Sequence, residues 1–576
     1  MSITNATSPL AMSSTYNLTP ATSSLTIAIF KYQSWVQNRL NGRSYWLLVL
    51  LSLAVAFLCS RLFAKRSNSK EPDQIPYRLP LVGHAYQYVF HNAAFTDYVL
   101  SIMKGRSVMK FYLGPRLFYF VTGSKNAAAV VRHSGKLSAD ELFVYATTKV
   151  AAGTEADMQM FRNDKSGRGE KPAVPVPEDQ RIWHPHHRLH SDYLTTGRSV
   201  EVMTAKFCEF FQAKLARFPA DEWEVINLFE FLKKHMLESA TASMSGTELL
   251  ASNPDFTERF WRFDRSIFTL LFGGPRLLNR SSYQARDYYH QAAQKYLEEK
   301  KDFDFNDAAV DVDWEPTFGS RFTRESTKFN IKHFERGTQA GMLVGAIFAL
   351  NANAIPMATW AMIEILQDPK LMATLKKEIA TATIPDPETK QKILDMEKLK
   401  KLPLLQSIYV ETLRLHVSVN VTREIMEDME MDGYLLKKGG LVQTPSGVAH
   451  FDESVWGVPG HPATEFWAER HLVDVEEEDA DGNIKTTKQF SIGKKTSSFF
   501  PYGGGITVCP GRHFAKQEIM AAIALMLSNF EIEFLDYVNK DGTVADRAPK
   551  DDPYYYGAAA MPPDRDLRIR WKRLEQ

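Results

Sequence analysis

Phe499 to Glu518 reads FFPYGGGITVCPGRHFAKQE and holds one of only three cysteines in a chain of 576 residues. Gly503, Gly504 and Gly505 let the backbone take positive φ values and approach a flat ligand closely. After Pro510, Gly511 and Arg512, the stretch HFAKQEIMAAIALMLSNFEIEF repeats apolar residues at helical spacing from Phe514 to Phe530. Cys509 therefore stands at the mouth of a helix, where unpaired amides and the helix dipole favour a thiolate. A soft anionic sulfur in a dry, closely approached site suits iron. The competing reading is a glycine loop before a packed helix, with an incidental cysteine.

Composition narrows the choice. Cys59 lies in an apolar run and Cys208 in the amphipathic MTAKFCEFFQAKL, so neither is an obvious disulfide partner for Cys509. With 44% hydrophobic residues the chain can bury a large core, and no domain break follows its N-terminal region. Basic and acidic residues balance, 69 against 68, with no basic block suited to nucleic acid.

The cysteine loop resembles that of the cytochrome P450 family, the haem-thiolate monooxygenases. The family loop reads Phe, two residues, Gly, one residue, Arg or His, one residue, Cys, one residue, Gly; here Tyr502, Gly505, Thr507, Cys509 and Gly511 stand at those places. The resemblance implies a mainly helical fold with small β-sheets and Cys509 as axial ligand of a haem (heme) iron. Tyr502 keeps an aromatic beside the sulfur, whereas Thr507 lacks the cation that commonly pairs a haem propionate.

Independent parts follow in the family's order. LPLLQSIYVETLRLH carries Glu411 and Arg414 three apart, on one helix face. A buried pair of this kind needs further partners, and Arg470 in TEFWAERHL matches the arginine that completes it in the family, a structural triad. Between them, NVTREIMEDMEMDGYLLKKGGLVQTPSGVAHFDESVWG reads as a small meandering sheet. By resemblance Arg423 reaches a propionate; it reads otherwise as a solvated strand-edge charge. Arg512 is a second candidate for that role. RIWHPHHRLHSDYL resembles the helix that supplies a tryptophan and, four residues on, an arginine, but Trp183 is followed at that spacing by His187, with Arg188 next. A surface histidine cluster is the alternative, and the pattern does not suit zinc.

GTQAGMLVGAIFALNANAIPMATWAMIEILQDP is long enough to span a membrane, yet Asn351, Asn353 and the charged sequel argue for a buried helix crossing the domain. In the family this helix passes over the haem and offers an acid followed by a threonine, which guide protons to dioxygen. Here Asn353 occupies the threonine place and the acid is missing. Asn-x-Ile-Pro resembles the sterol 7-alpha and 12-alpha hydroxylases, and also prostacyclin synthase, which isomerises without outside electrons. An amide is a poor acid, so ordered water would have to deliver protons. Otherwise Asn353 satisfies a helix carbonyl beside a kink at Pro356.

The resemblance thus implies hydroxylation of a lipophilic sterol-like or terpenoid molecule with O2 and electrons from NADPH through NADPH-cytochrome P450 reductase, which would dock near Lys494, Lys495, Arg512 and Lys516. A reductase-independent isomerase or dehydratase is the alternative, and a non-enzymatic haem or lipid binder the third reading. Phe143, Phe272 and Phe348 line the pocket or belong to the core.

The N-terminal region reads as a membrane anchor. Ser44 to Ser60, SYWLLVLLSLAVAFLCS, is uncharged and with RLFA reaches roughly the 20 residues of a spanning helix. Basic residues flank both ends, so orientation comes from the resemblance: residues 1–43 lumenal, 44–64 a transmembrane helix of the endoplasmic reticulum, 65–83 a proline-rich hinge, and 84–576 a cytosolic catalytic domain. Asn5 and Asn17 begin glycosylation triplets, as do Asn279 and Asn420 in the cytosolic part. The acidic VDVEEEDADGNIKTTK reads as a solvated loop, and EKKDFDFNDAAVDVDWEP lacks the spacing and glycine of a calcium loop.

Overall fold

Arg336–Gln367 forms a single helix of 32 residues that runs unbroken through Pro356. It is apolar nearly all round, and such a helix is stable only when surrounded. Leu228–Ser245, Arg280–Glu299 and Arg512–Asn529 pack around it, and Val344, Ile347, Ile355 and Trp360 are buried among them. At Gly341 a Cβ would lie 1.7 Å from the Ala151 carbonyl oxygen, so glycine lets a neighbouring segment cross against the helix. Among the described residues this is the one helix long and apolar enough to cross a membrane, and most of it is buried.

The computed structural model describes residues 51, 70–77, 82–132, 135–195, 197–307, 312–385, 392–478 and 484–574. The anchor expected at 44–64, apart from residue 51, and with it Asn5, Asn17 and residues 65–69 and 78–81 of the proline-rich connector, lies outside them. The remainder is mainly helical with small sheets. The largest sheet has six strands: Val108–Leu113 pairs antiparallel with Arg116–Val121, which lies parallel to Leu441–Pro445; Val417–Ile425 follows antiparallel, then Ala558–Ala560, with Leu137–Ser138 paired to Val417–Ile425. A three-stranded sheet joins Phe530–Val538, Asp566–Arg573 and Trp223–Asn227.

The helix Pro403–His416 carries the buried charges. Glu411 accepts from Arg414 Nε and Nη2, both at 2.8 Å, from Arg470 Nε at 2.7 Å, and from His471 Nε2 at 3.1 Å. Both guanidiniums are fully buried and spend their other N–H groups on carbonyls: Arg414 on His450 and Ala463, Arg470 on Trp456, His461, Pro462 and Glu465. Burial alone would raise the Glu411 carboxyl, but the bonds from Arg414 and His471 outweigh it and hold it at about 2.

Two expectations follow. Arg470→Met leaves part of the Glu411 charge uncompensated and should cost about 3–5 kcal/mol, read as a lower urea midpoint. Glu411, held at about 2 against the usual 4.5, lends stability that is complete above pH 4.5 and is lost as pH falls toward 2. His450, pushed by burial to about 3 from 6.5, acts in the same direction from a higher pH. The urea midpoint should therefore fall steadily between pH 7 and pH 4; a flat profile there would contradict this assignment.

Candidate active site

The cysteine loop is held by short backbone bonds. Cys509 N–H donates to the Tyr502 carbonyl at 3.1 Å, Val508 N–H to that of Gly505 at 3.1 Å, and the helix Arg512–Asn529 follows. Gly503 and Gly505 both have φ +67°; Gly503 has open space around it and lines the cavity of Cys509, whereas the next two glycines are pressed against protein. A Cβ on Gly504 would lie 2.4 Å from Val131 Cγ1, and one on Gly505 2.2 Å from the Val131 carbonyl oxygen. The electrostatics also differ from the sequence expectation. Burial pushes the Cys509 thiol up, against the pull of the Gly511 and Arg512 amides and the Arg512 charge. The helix mouth does not by itself make a thiolate; a coordinated metal cation does.

Cys509 lines a cavity of about 630 Å³, whose lining also includes Ala346, Ala349 and Asn353 of the long helix. Arg423 and Arg168 border the same space. Arg423 Nη2 donates to Thr507 Oγ1 at 2.6 Å and to the Gly504 carbonyl at 3.2 Å, so the residue that replaces the family's loop cation instead holds another cation. Arg168 bonds Asp140 and stacks its guanidinium 4.1 Å from the centre of the Trp183 ring. Burial and the nearby charge of Arg168 both lower the Arg423 pKa. Arg168 already pairs with Asp140, whereas Arg423 bonds only neutral groups and can take an anion; a haem, with two propionates and an iron that takes the thiolate, fits this donor set.

The other expected residues divide between the cavity wall and the fold around it. Asn353 Oδ1 accepts the Ala560 N–H at 3.1 Å, which leaves the Nδ2 amine as the donor of this side chain. Trp183 is buried, with Nε1 bonded to the Phe161 carbonyl at 2.9 Å, and does not line the cavity; nor does His187. Trp183 bears on the site through Arg168. Arg512 Nη1 turns to the Cys509 carbonyl at 2.9 Å, away from the lining. Phe143 lines the cavity, Phe348 lines an adjoining one of about 500 Å³, and Phe272 is exposed.

Sequence reasoning missed Arg168, whose loop NDKSGRGE reads as solvated, and Glu518, nine residues past the cysteine. Glu518 is fully buried, lines the Cys509 cavity, and neither carboxyl oxygen has a hydrogen-bond partner. Burial holds it well above the usual carboxylate range. The Tyr502 and Tyr409 hydroxyls, 2.5 Å apart, are buried beside the same loop.

Arg168→Ala and Arg423→Ala should each speed haem transfer from the loaded protein to excess apomyoglobin by about tenfold, the value of one charge-assisted bond. Trp183→Leu should add to Arg423→Ala but have no further effect once Arg168 is alanine. Additive losses from Trp183 and Arg168 would show that the tryptophan acts on its own.

Comparisons with known proteins agree with this geometry. The family model described as Cytochrome P450 matches residues 74–544. Cytochrome P450 monooxygenase calL of Penicillium decumbens is 38% identical over 513 residues, 88% of this chain and 94% of that protein. The 25-hydroxycholesterol 7-alpha-hydroxylase of Rattus norvegicus is 27% identical over 367 residues, 60% of this chain and 82% of its own. The structure of retinoic acid bound cyanobacterial CYP120A1 aligns with a TM-score of 0.62 over 88% of this chain and 100% of that one, at 16% identity, a likeness of fold. With its cysteine loop built against a cavity that suits a haem, and a family match over most of its length, the chain belongs to the cytochrome P450 family as one of its monooxygenases.

Proposed function

We propose that the protein hydroxylates a lipophilic, polycyclic molecule of the sterol or terpenoid type, using O2 and electrons from NADPH delivered by NADPH-cytochrome P450 reductase. The observation that carries this reading is the apolar cavity of about 500 Å³ that shares Phe143, Ala349 and Asn353 with the Cys509 cavity. A site of that size is within the range of small-molecule pockets, and its walls favour an apolar body. The likeness to the rat 25-hydroxycholesterol 7-alpha-hydroxylase supports a sterol-like skeleton.

A haem held by the Cys509 thiolate supplies reductive activation of dioxygen. The chain's own part is to hold the propionates with Arg168 and Arg423, to exclude bulk water with the long helix, and to place a donor at the Asn353 Nδ2. That amide can donate a hydrogen bond but releases no proton, so water must carry protons past it. The same property favours a second reading, a reductase-independent isomerase or dehydratase.

Of the cations proposed for reductase docking, Lys494 is exposed, while Lys516 is partly buried and bonded to Gln406 Oε1 at 2.8 Å and Lys495 lies 5.3 Å from the centre of the Trp456 ring. Lys494 is therefore the contact of this group least engaged within the fold. The anchor at 44–64 would hold the catalytic part at the cytosolic face of the endoplasmic reticulum.

The holoprotein, mixed with NADPH and a microsomal reductase under carbon monoxide, should give a thiolate-type complex, formed faster with one class of sterol or terpenoid. Failure of the reductase with protein that dithionite reduces cleanly would favour the isomerase and make organic peroxides the next substrates. Removal of residues 1–64 should move the protein from the carbonate-resistant membrane fraction to the extractable one; retention there would refute the anchor.

A further inference from the structure

The cavity that adjoins the Cys509 site has one acid in its lining. Asp264 closes the helix Phe256–Asp264 and is 6% exposed, and its neighbours in the lining include Ile267, Phe268 and Phe348. Tyr555, which lines the same cavity, donates to Asp264 Oδ2 at 2.7 Å. Among the described residues that is the one hydrogen bond shown for this carboxylate, and it makes no ion pair.

The cations nearby are engaged elsewhere. Arg265 pairs with Asp552 at 2.7 Å and Lys233 with Glu230 at 2.6 Å. Nor does helix stability account for the acid, because a negative charge at a helix C-terminus opposes the dipole. Burial raises the Asp264 carboxyl to about 6, against the pull of the Tyr555 hydrogen bond and of the Arg265 and Lys233 charges. A carboxyl kept in an apolar cavity with acceptor capacity to spare suits a ligand that brings a donor.

We propose that Asp264, backed by Tyr555, is a specificity-determining residue that accepts a hydrogen bond from a hydroxyl group on the substrate, so that the substrate is a lipophilic alcohol. Its apolar body lies along the cavity toward Asn353, which lines both spaces, and the carbon to be attacked is remote from the existing hydroxyl. This rests on the reading of the cavity as the substrate site. A ketone of the same skeleton brings only an acceptor, and a hydrocarbon brings neither, so both should bind less well.

The test is a spectral titration of the holoenzyme at pH 7.5, following the haem band. The probes are an alcohol, the corresponding ketone and the parent hydrocarbon in three skeletons: cholestane, a pentacyclic triterpane and a linear alkane. In the skeleton that binds, the alcohol should bind about ten- to a hundredfold tighter than its two analogues. Asp264→Leu should abolish that preference, leave hydrocarbon binding unweakened and, by removing a buried unpaired charge, leave the thermal midpoint no lower. Asp264→Asn, which keeps the shape and can donate, should narrow the gap between alcohol and ketone. Equal binding of alcohol and hydrocarbon, or a preference that survives Asp264→Leu, would overturn the proposal. Silence from cholestanes and triterpanes, with the alcohol preference intact in the linear set, would sink the polycyclic reading while sustaining the role of Asp264. Silence from every set would overturn both.

Discussion

The structure turns on a carboxylate buried where none could survive alone. Glu411 is fully buried and is kept ionised by Arg414, Arg470 and His471, and the two guanidiniums reach out to carbonyls from several separate segments. One of these leads to the reactive loop. Arg414 bonds the His450 carbonyl at 2.8 Å, and His450 Nε2 accepts the Phe500 N–H at 3.3 Å, two residues before Tyr502. From the same helix, Tyr409 meets the Tyr502 hydroxyl. The cysteine loop is therefore hung from the charged helix by more than one route, and a displaced Glu411 would be felt at Cys509. Because the charges are desolvated, the cluster has little tolerance for a missing partner, which makes it a register for loop and helix rather than a large source of stability.

Around the cavity the fold distributes uncompensated polarity with some economy. Arg423, bonded only to neutral groups, leaves positive charge at one part of the Cys509 cavity, Glu518 leaves an unpartnered carboxyl at another, and Asp264 leaves a carboxyl with one hydrogen bond in the adjoining space. Between them the walls are apolar. Such groups destabilise the empty fold and become favourable only when a ligand of matching chemistry enters, which is how binding energy is directed to orientation. The substitution of threonine by Asn353 fits the same pattern. Its carbonyl is tied to Ala560, which fixes the side chain where it lines both cavities.

Much of this could be read from residue order. The apolar run around Pro356 with two asparagines marks a buried helix, because charge and amide content distinguish a protein core from a lipid-facing span, and most of Arg336–Gln367 is buried. Glu411 and Arg414, three apart on a helix and followed by Arg470, belong together because a buried pair demands a third partner; the three meet, with His471 as a fourth that no spacing announced. Trp183 and His187 do not line the cavity: the indole bonds a carbonyl, and the loop residue stacked on it, Arg168, borders the space instead. The glycines of the cysteine loop serve in two ways that spacing does not separate: Gly504 and Gly505 admit Val131, and Gly503 borders the cavity.

What the sequence alone determined was the class of site: a thiol at the mouth of a helix, a buried charge triad and an amide in the long helix. These are local patterns, visible because spacing along a helix or turn already places side chains on a common face. The tertiary structure decided which charges face the cavity. Arg168, Glu518 and Asp264 carry no mark in their own segments, because the cost of burying a charge depends on what other elements pack against it, and that is known only once the chain has folded.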